Sequence, residues 1–212
     1  MRKFLRLVVH IGCLAPLAFL IKDYYSGGLT VNPIQAATLR TGRTALNLLV
    51  LTLACSPANT YLGFRPALQA RRALGLYAFF YASLHFMIFI GLDYGFNLRL
   101  IWLEFDQKRY ILAGAGALLL LTPLAVTSFN LWKRRLGKNW KHLHQLVYLA
   151  ALLAVTHYLW EVKTDIRPPL AYGAVVLLLL LLRIRIIEKP LLILRLRWMY
   201  RLRKGGKTWL EL

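Results

Sequence analysis

Acidic residues are scarce in this chain: 8 Asp and Glu stand against 28 Lys and Arg in 212 residues, a formal charge of +20. An excess of that sign is a footprint of nucleic-acid binding, but no RNA- or DNA-binding motif accompanies it and no separate polar domain could carry one. The basic residues sit between long apolar blocks, which excludes nucleic acid as a partner. Cysteine is nearly absent too. Cys13 and Cys55 lie inside apolar blocks without C-x-x-C or metal-site spacing and read as small core residues. No G-x-G-x-x-G follows a strand; Gly114-Ala115-Gly116 falls within an apolar block, where small residues let helices approach closely. The chain therefore carries no nicotinamide domain.

What is abundant is apolar sequence. Hydrophobic residues make up 58% of the chain, with a mean hydropathy of +0.52, and they fall in blocks rather than in the alternation of a soluble core. The expected fold class is all-α, a polytopic membrane helix bundle. Its crossings are residues 7–21, 44–62 (shortened or bent by Pro57), 73–92, 110–129, 140–160 and 170–182. The count is six, or five, because the second and sixth blocks are short for a core of ~30 Å. The basic start resembles a signal peptide, but residues 21–25 offer no small-x-small cleavage site, so the segment reads as a retained helix. The membrane domain is expected over residues 1–187. Residues 188–212 form a basic tail mixing large apolar residues with arginines, an interfacial helix suited to anionic membrane lipid.

Orientation follows from the placement of basic residues. With the N-terminus inside, the inner segments hold 20 of the 28 basic residues, and the outer ones hold Asp23, Asp93, Glu104, Asp106, Glu161 and Asp165, six of the 8 acids. Both termini are thus expected in the cytoplasm of a bacterial inner membrane.

Histidines inside such blocks need a reason, since lipid alone favours leucine. His85 on the third block and His157 on the fifth reach similar depths in the outward half of the membrane. Two neutral imidazoles at equal depth on neighbouring helices supply two axial nitrogens for a b-type haem, and no C-x-x-C-H motif is present for a covalent one. A lone intramembrane histidine is explained equally well by an interhelical hydrogen bond; two at matched depth among aromatic residues favour haem. His144 lies 13 residues before His157, ~20 Å along a helix and 220° round it, so an ideal helix does not put both on one face, and a bend or a different inter-helix gap is needed. At the depth of His144 the third block offers Arg71 rather than a histidine. Arg71 and Arg72 suit haem propionates or a flavin phosphate at the inner rim, or plain positive-inside anchoring. His142 is expected to face solvent, and His10 to pack or sit at a rim.

Thr41-Gly42-Arg43-Thr44-Ala45-Leu46, Arg71-Arg72-Ala73-Leu74-Gly75-Leu76, Leu84-His85, Arg135-Leu136-Gly137-Lys138-x-Trp140-x-x-Leu143-His144 and His157-Tyr158-Leu159-Trp160-x-Val162-Lys163 resemble the haem-binding membrane subunits of the bacterial methionine sulfoxide reductase system. More widely, the chain is similar to the ferric-reductase and NADPH-oxidase transmembrane domain. The resemblance covers nearly the whole chain. It implies a relay that feeds electrons to a periplasmic molybdopterin reductase subunit, with His85, His144 and His157 as haem-iron ligands. It further implies heme b, a bound FMN that no motif here locates, and electrons from the quinone pool or a cytosolic flavin reductase. Arg71 departs from the oxidase pattern, which leaves a second haem site incomplete. A ferric or other periplasmic-acceptor reductase subunit is the alternative. A small transporter without haem would show broken helices and an internal repeat, and no repeat is evident.

Overall fold

The computed structural model describes residues 2–184 and is helical throughout, with no strand among the described residues. Eight α-helices follow in order: α1 Arg2–Tyr25, α2 Pro33–Leu62, α3 Arg65–Ile88, α4 Leu98–Gln107, α5 Arg109–Val126, α6 Asn130–Leu136, α7 Asn139–Glu161 and α8 Arg167–Leu181. A π-helical turn, Phe89–Asp93, prolongs α3. Five of these, α1, α2, α3, α5 and α7, are long and apolar enough to cross a membrane, and α8 is a shorter apolar helix. At 1.5 Å per residue its 15 residues span ~22 Å, short of a ~30 Å core. The tail 188–212 lies outside the described residues.

The second helix is far longer than hydropathy suggests, because capping rather than lipid sets its start. The Asn32 side chain accepts from the Gln35 N–H at 3.0 Å, and Pro33 occupies the first turn, where its missing N–H costs nothing. Nor does Pro57 end α2. It removes the donor that would have reached the Leu53 carbonyl, and Arg183 supplies a replacement, its Nη2 donating to that oxygen at 2.5 Å. The helix stops at Gly63, whose φ of 69° lies in the left-handed region that glycine adopts without strain. The tight turn folds α3 back against α2.

Two antiparallel hairpins, α2–α3 and α5–α7, form the centre, while α1 packs on α2 and α3 and α8 bridges α2 and α7. Small residues allow this closeness: Ala78, Ala150 and Ala151 are at most 1% exposed. In lipid, such packing contacts, rather than water exclusion, hold helices together. The outer helix α1 is anchored by Tyr81. The hydroxyl of this buried side chain accepts from the Leu17 N–H at 3.1 Å and donates to the Cys13 carbonyl at 2.8 Å, bridging the two groups that normally close one helical hydrogen bond. His10 faces the same helix, its Nδ1 2.9 Å from the Tyr77 hydroxyl.

Candidate metal centre

The two hairpins enclose a cavity of about 460 Å3, a size within the range of cofactor sites. Gly42, Ala45, Ala78, Ala82, Gly114, Ala115, Ala117 and Ala154 line it. Small side chains on four facing helices leave space that leucine would fill. Asn32, Gln35, Asp93, Tyr94 and Glu161 line it where these helices end, and Arg43 lines it from within α2. Burial first, and then the Glu104 carboxylate, hold the Tyr94 phenol above its ordinary value, so it stays a neutral hydrogen-bonding group there.

His85 and His157 meet in this cavity with ring centroids 6.0 Å apart and planes at 81°. Both rings are held by one construction used twice. His85 Nδ1–H donates to the Thr38 carbonyl at 2.9 Å, and His157 Nδ1–H donates to the Tyr110 carbonyl at 2.7 Å. A carbonyl can only accept, so in each ring Nδ1 carries the proton and Nε2 keeps its lone pair. The acceptor lies 47 residues before the histidine in both cases, and a glycine follows four residues later, at Gly42 and Gly114. A Cβ on Gly42 would stand 3.0 Å from His85 Nδ1, and one on Gly114 2.7 Å from His157 Nδ1. Each ring lies against bare backbone that only glycine leaves open.

The separation suits one metal ion. A metal–imidazole bond of about 2.0–2.1 Å plus about 1.1 Å from nitrogen to ring centre, taken on both sides, gives roughly 6.3 Å between centroids. The observed spacing is within a few tenths of this. Among the described residues no three His, Cys, Asp or Glu side chains cluster as metal ligands.

The other expected site residues lie elsewhere. His144, nearer the start of α7, is not among the residues lining the cavity. Thr127 Oγ1 donates to the Pro123 carbonyl at 2.6 Å and lies 3.2 Å from His144 Nε2, which therefore donates to it. The imidazole also stacks on Trp140 at 4.0 Å. Helix α7 is one continuous α-helix over Asn139–Glu161, and the two histidines on it meet different partners, Thr127 and the Tyr110 carbonyl. Arg71 Nη1 donates to Ser56 Oγ at 3.0 Å, and its charge is within electrostatic reach of His144. Arg72 lies over the Phe129 ring at 5.4 Å. His142 is exposed at the α7 start.

Sequence reasoning missed Thr38, Gly42, Tyr110 and Gly114. One signal was available: a glycine precedes each of the two histidines by 43 residues. The repetition is of helix-hairpin geometry rather than of side chains, and the α5–α7 connection carries α6 where α2–α3 has a two-residue turn.

Fold and site together define a multi-pass membrane helix bundle with a paired-imidazole centre. The sequence profile of the ferric reductase like transmembrane component family matches residues 41–155. The protein-methionine-sulfoxide reductase heme-binding subunit MsrQ of Rhodospirillum rubrum is 44% identical over 180 residues, spanning 84% of this chain and 86% of its own. The subunit of the same name from Deinococcus radiodurans is 49% identical over 164 residues, spanning 76% and 80%; that of Caulobacter vibrioides is 41% identical over 178 residues, spanning 84% and 85%. The chain belongs to the MsrQ family of ferric reductase-like transmembrane proteins.

Proposed function

We propose that the chain is the b-haem electron-transfer subunit of a membrane methionine sulfoxide reductase system, with His85 and His157 as axial ligands to the haem iron. The observation that carries this reading is the pair of imidazoles in one cavity, on rings 6.0 Å apart, each with its Nδ1 proton held by a backbone carbonyl. The Thr38 and Tyr110 carbonyls hold the Nδ1 protons, which fixes the tautomer and raises the donor strength of each imidazole. The small residues of the cavity wall leave room for a flat macrocycle, and Arg43 on α2 and Tyr94 just after the π-helical turn offer polar contacts. When bound, haem supplies one-electron redox chemistry at its iron.

The positive-inside bias supports an inner-membrane orientation with both termini cytoplasmic and the His85–His157 centre in the outward half. Electrons then enter from the quinone pool or a cytosolic flavin reductase, and leave to a periplasmic molybdopterin reductase that repairs oxidised proteins. The family resemblance supports this donor, this acceptor and a bound FMN. His144, Arg71 and Arg72 lie toward the other end of the bundle, where electrons arrive. In this reading they form a separate inner-rim site.

The test is the dithionite-reduced minus oxidised spectrum of the purified full chain, with haem counted per polypeptide. A low-spin b-type spectrum supports the proposal, and colourless protein from haem-replete cells refutes it.

A further inference from the structure

We infer that α4 lies in the headgroup layer of the membrane, at the end of the bundle where Tyr94 and Glu161 line the cavity, with Leu98 and Trp102 turned into lipid. Short tethers keep the helix at that level. Residues 94–97 alone join it to the π-helical turn that prolongs α3, and Lys108 alone joins it to α5, itself one of the helices long and apolar enough to cross the membrane. Five helical steps and two extended ones bring Trp102 within ~15 Å of the start of α5. Lys108 is extended, with φ −119° and ψ 91°, so α4 turns aside there instead of carrying α5 outward into water.

The side chains of α4 divide by direction. Ile101, Glu104 and Phe105 are half-buried on the side that packs on α5, where Glu104 pairs with Lys108 and accepts from the Tyr94 hydroxyl. Arg99 and Asp106, seven residues apart and so on one side, are exposed and point away from the bundle. Between these two sides stand Leu98 and Trp102, neighbours four residues apart, 79% and 76% exposed. A lone exposed leucine is ordinary; an uncovered indole with a leucine one turn away is an apolar flank in need of an occupant. The helices on either side of it already face lipid, since Leu92 in the π-helical turn and Leu112 in the first turn of α5 are exposed as well. The flank of α4 continues that surface. An indole, apolar in body with one N–H donor, settles at the boundary between membrane and water. A Leu–Trp flank beside a charged stripe is the pattern of a helix lying in the membrane plane.

The experiment uses the full chain in phospholipid nanodiscs, with the absorption spectrum checked in every variant. Leu98→Cys, Arg99→Cys, Trp102→Cys and Asp106→Cys are each labelled with a nitroxide. Cys13 and Cys55 are buried, and wild type treated with the label corrects for them. Power saturation with oxygen, which concentrates in lipid, and with a water-soluble nickel chelate reads the surroundings of each label. The oxygen-to-nickel accessibility ratio should be several-fold higher at 98 and 102 than at 99 and 106. Brominated phospholipid should also quench the part of the fluorescence that Trp102→Phe removes, a measurement that needs no label. A water-like ratio at 98 and 102, or no quenching of that part, overturns the inference. So does exclusion of both reagents from 98 and 102 when the proposed periplasmic reductase subunit is added, which would make the flank a protein-docking surface. Neither readout involves haem ligation, so failure here leaves the His85–His157 centre standing.

Discussion

Replacing Gly114 with alanine tests the construction of the centre most directly. The new methyl would stand 2.7 Å from His157 Nδ1, 2.9 Å from Cε1 and 3.2 Å from Cγ. Ordinary contact begins near 3.4 Å, so the ring must retreat about 0.7 Å, several times the ±0.2 Å or so that a metal–ligand distance tolerates. The Nδ1–H···O=C bond to Tyr110, 2.7 Å in the wild type, would lengthen toward about 3.4 Å, the weak limit of a hydrogen bond. Leaving that donor unpaired in an apolar wall costs about 1–3 kcal/mol. Alanine is itself a better helix former than glycine by about 0.8–1.0 kcal/mol, so the bundle does not unfold on that account. Gly114→Ala should therefore lower haem occupancy by about ten- to a hundredfold at limiting haem while helical content persists and the Tm falls by only a few degrees. Any haem retained should have less low-spin character and a raised midpoint potential, because the imidazole has lost donor strength. Gly42→Ala, with its methyl 3.0 Å from His85 Nδ1, should do the same more mildly. Haem titration, the reduced spectrum and a redox titration check this. A Gly114→Ala protein with full haem, an unchanged low-spin spectrum and an unchanged potential would refute the reasoning.

Alanine at His85 or His157 should each remove most of the low-spin signal, and full haem with an unchanged spectrum in either variant would show the pairing to be wrong. His144→Ala should keep that signal but lose electron input or a second cofactor; loss of the same haem as in His157→Ala, with folding intact, would make His144 the partner of His85. Near-perpendicular rings, at 81°, place their π-donor orbitals on different iron d orbitals and leave these nearly degenerate, so the ferric EPR spectrum should show a single large-g feature. Three well-resolved rhombic g values would contradict the ring geometry. Tyr81→Phe removes the hydroxyl's bonds to the Leu17 N–H and the Cys13 carbonyl, leaving those two groups only each other, and should cost about 0.5–1.5 kcal/mol, read as a lowered Tm with an unchanged haem spectrum; an unchanged Tm would mean that Tyr81 does not anchor α1.

The class of this protein was legible in its residues because hydropathy and helical rise are local properties. Apolar blocks of sufficient length require helices wherever lipid offers no hydrogen-bond partners, and depth along a helix follows from counting. That was enough to match His85 with His157 and to separate His144 from both. The same reasoning placed the start of α2 eleven residues too late, at 44 instead of Pro33, because the Asn32 cap lies outside the hydrophobic stretch. Which side of a helix meets which neighbour is not local. Tertiary packing alone turned both imidazoles into one cavity, set the Thr38 and Tyr110 carbonyls behind them, and closed the gap left by Pro57 with an arginine 130 residues away. It also brought Arg71 and Arg183 to neighbouring positions on α2, at Ser56 and Leu53, although sequence places one just before the third apolar block and the other just after the sixth. Distances of a few tenths of an ångström decide whether a ring can lie against a helix, and they exist only once four helices have chosen their faces.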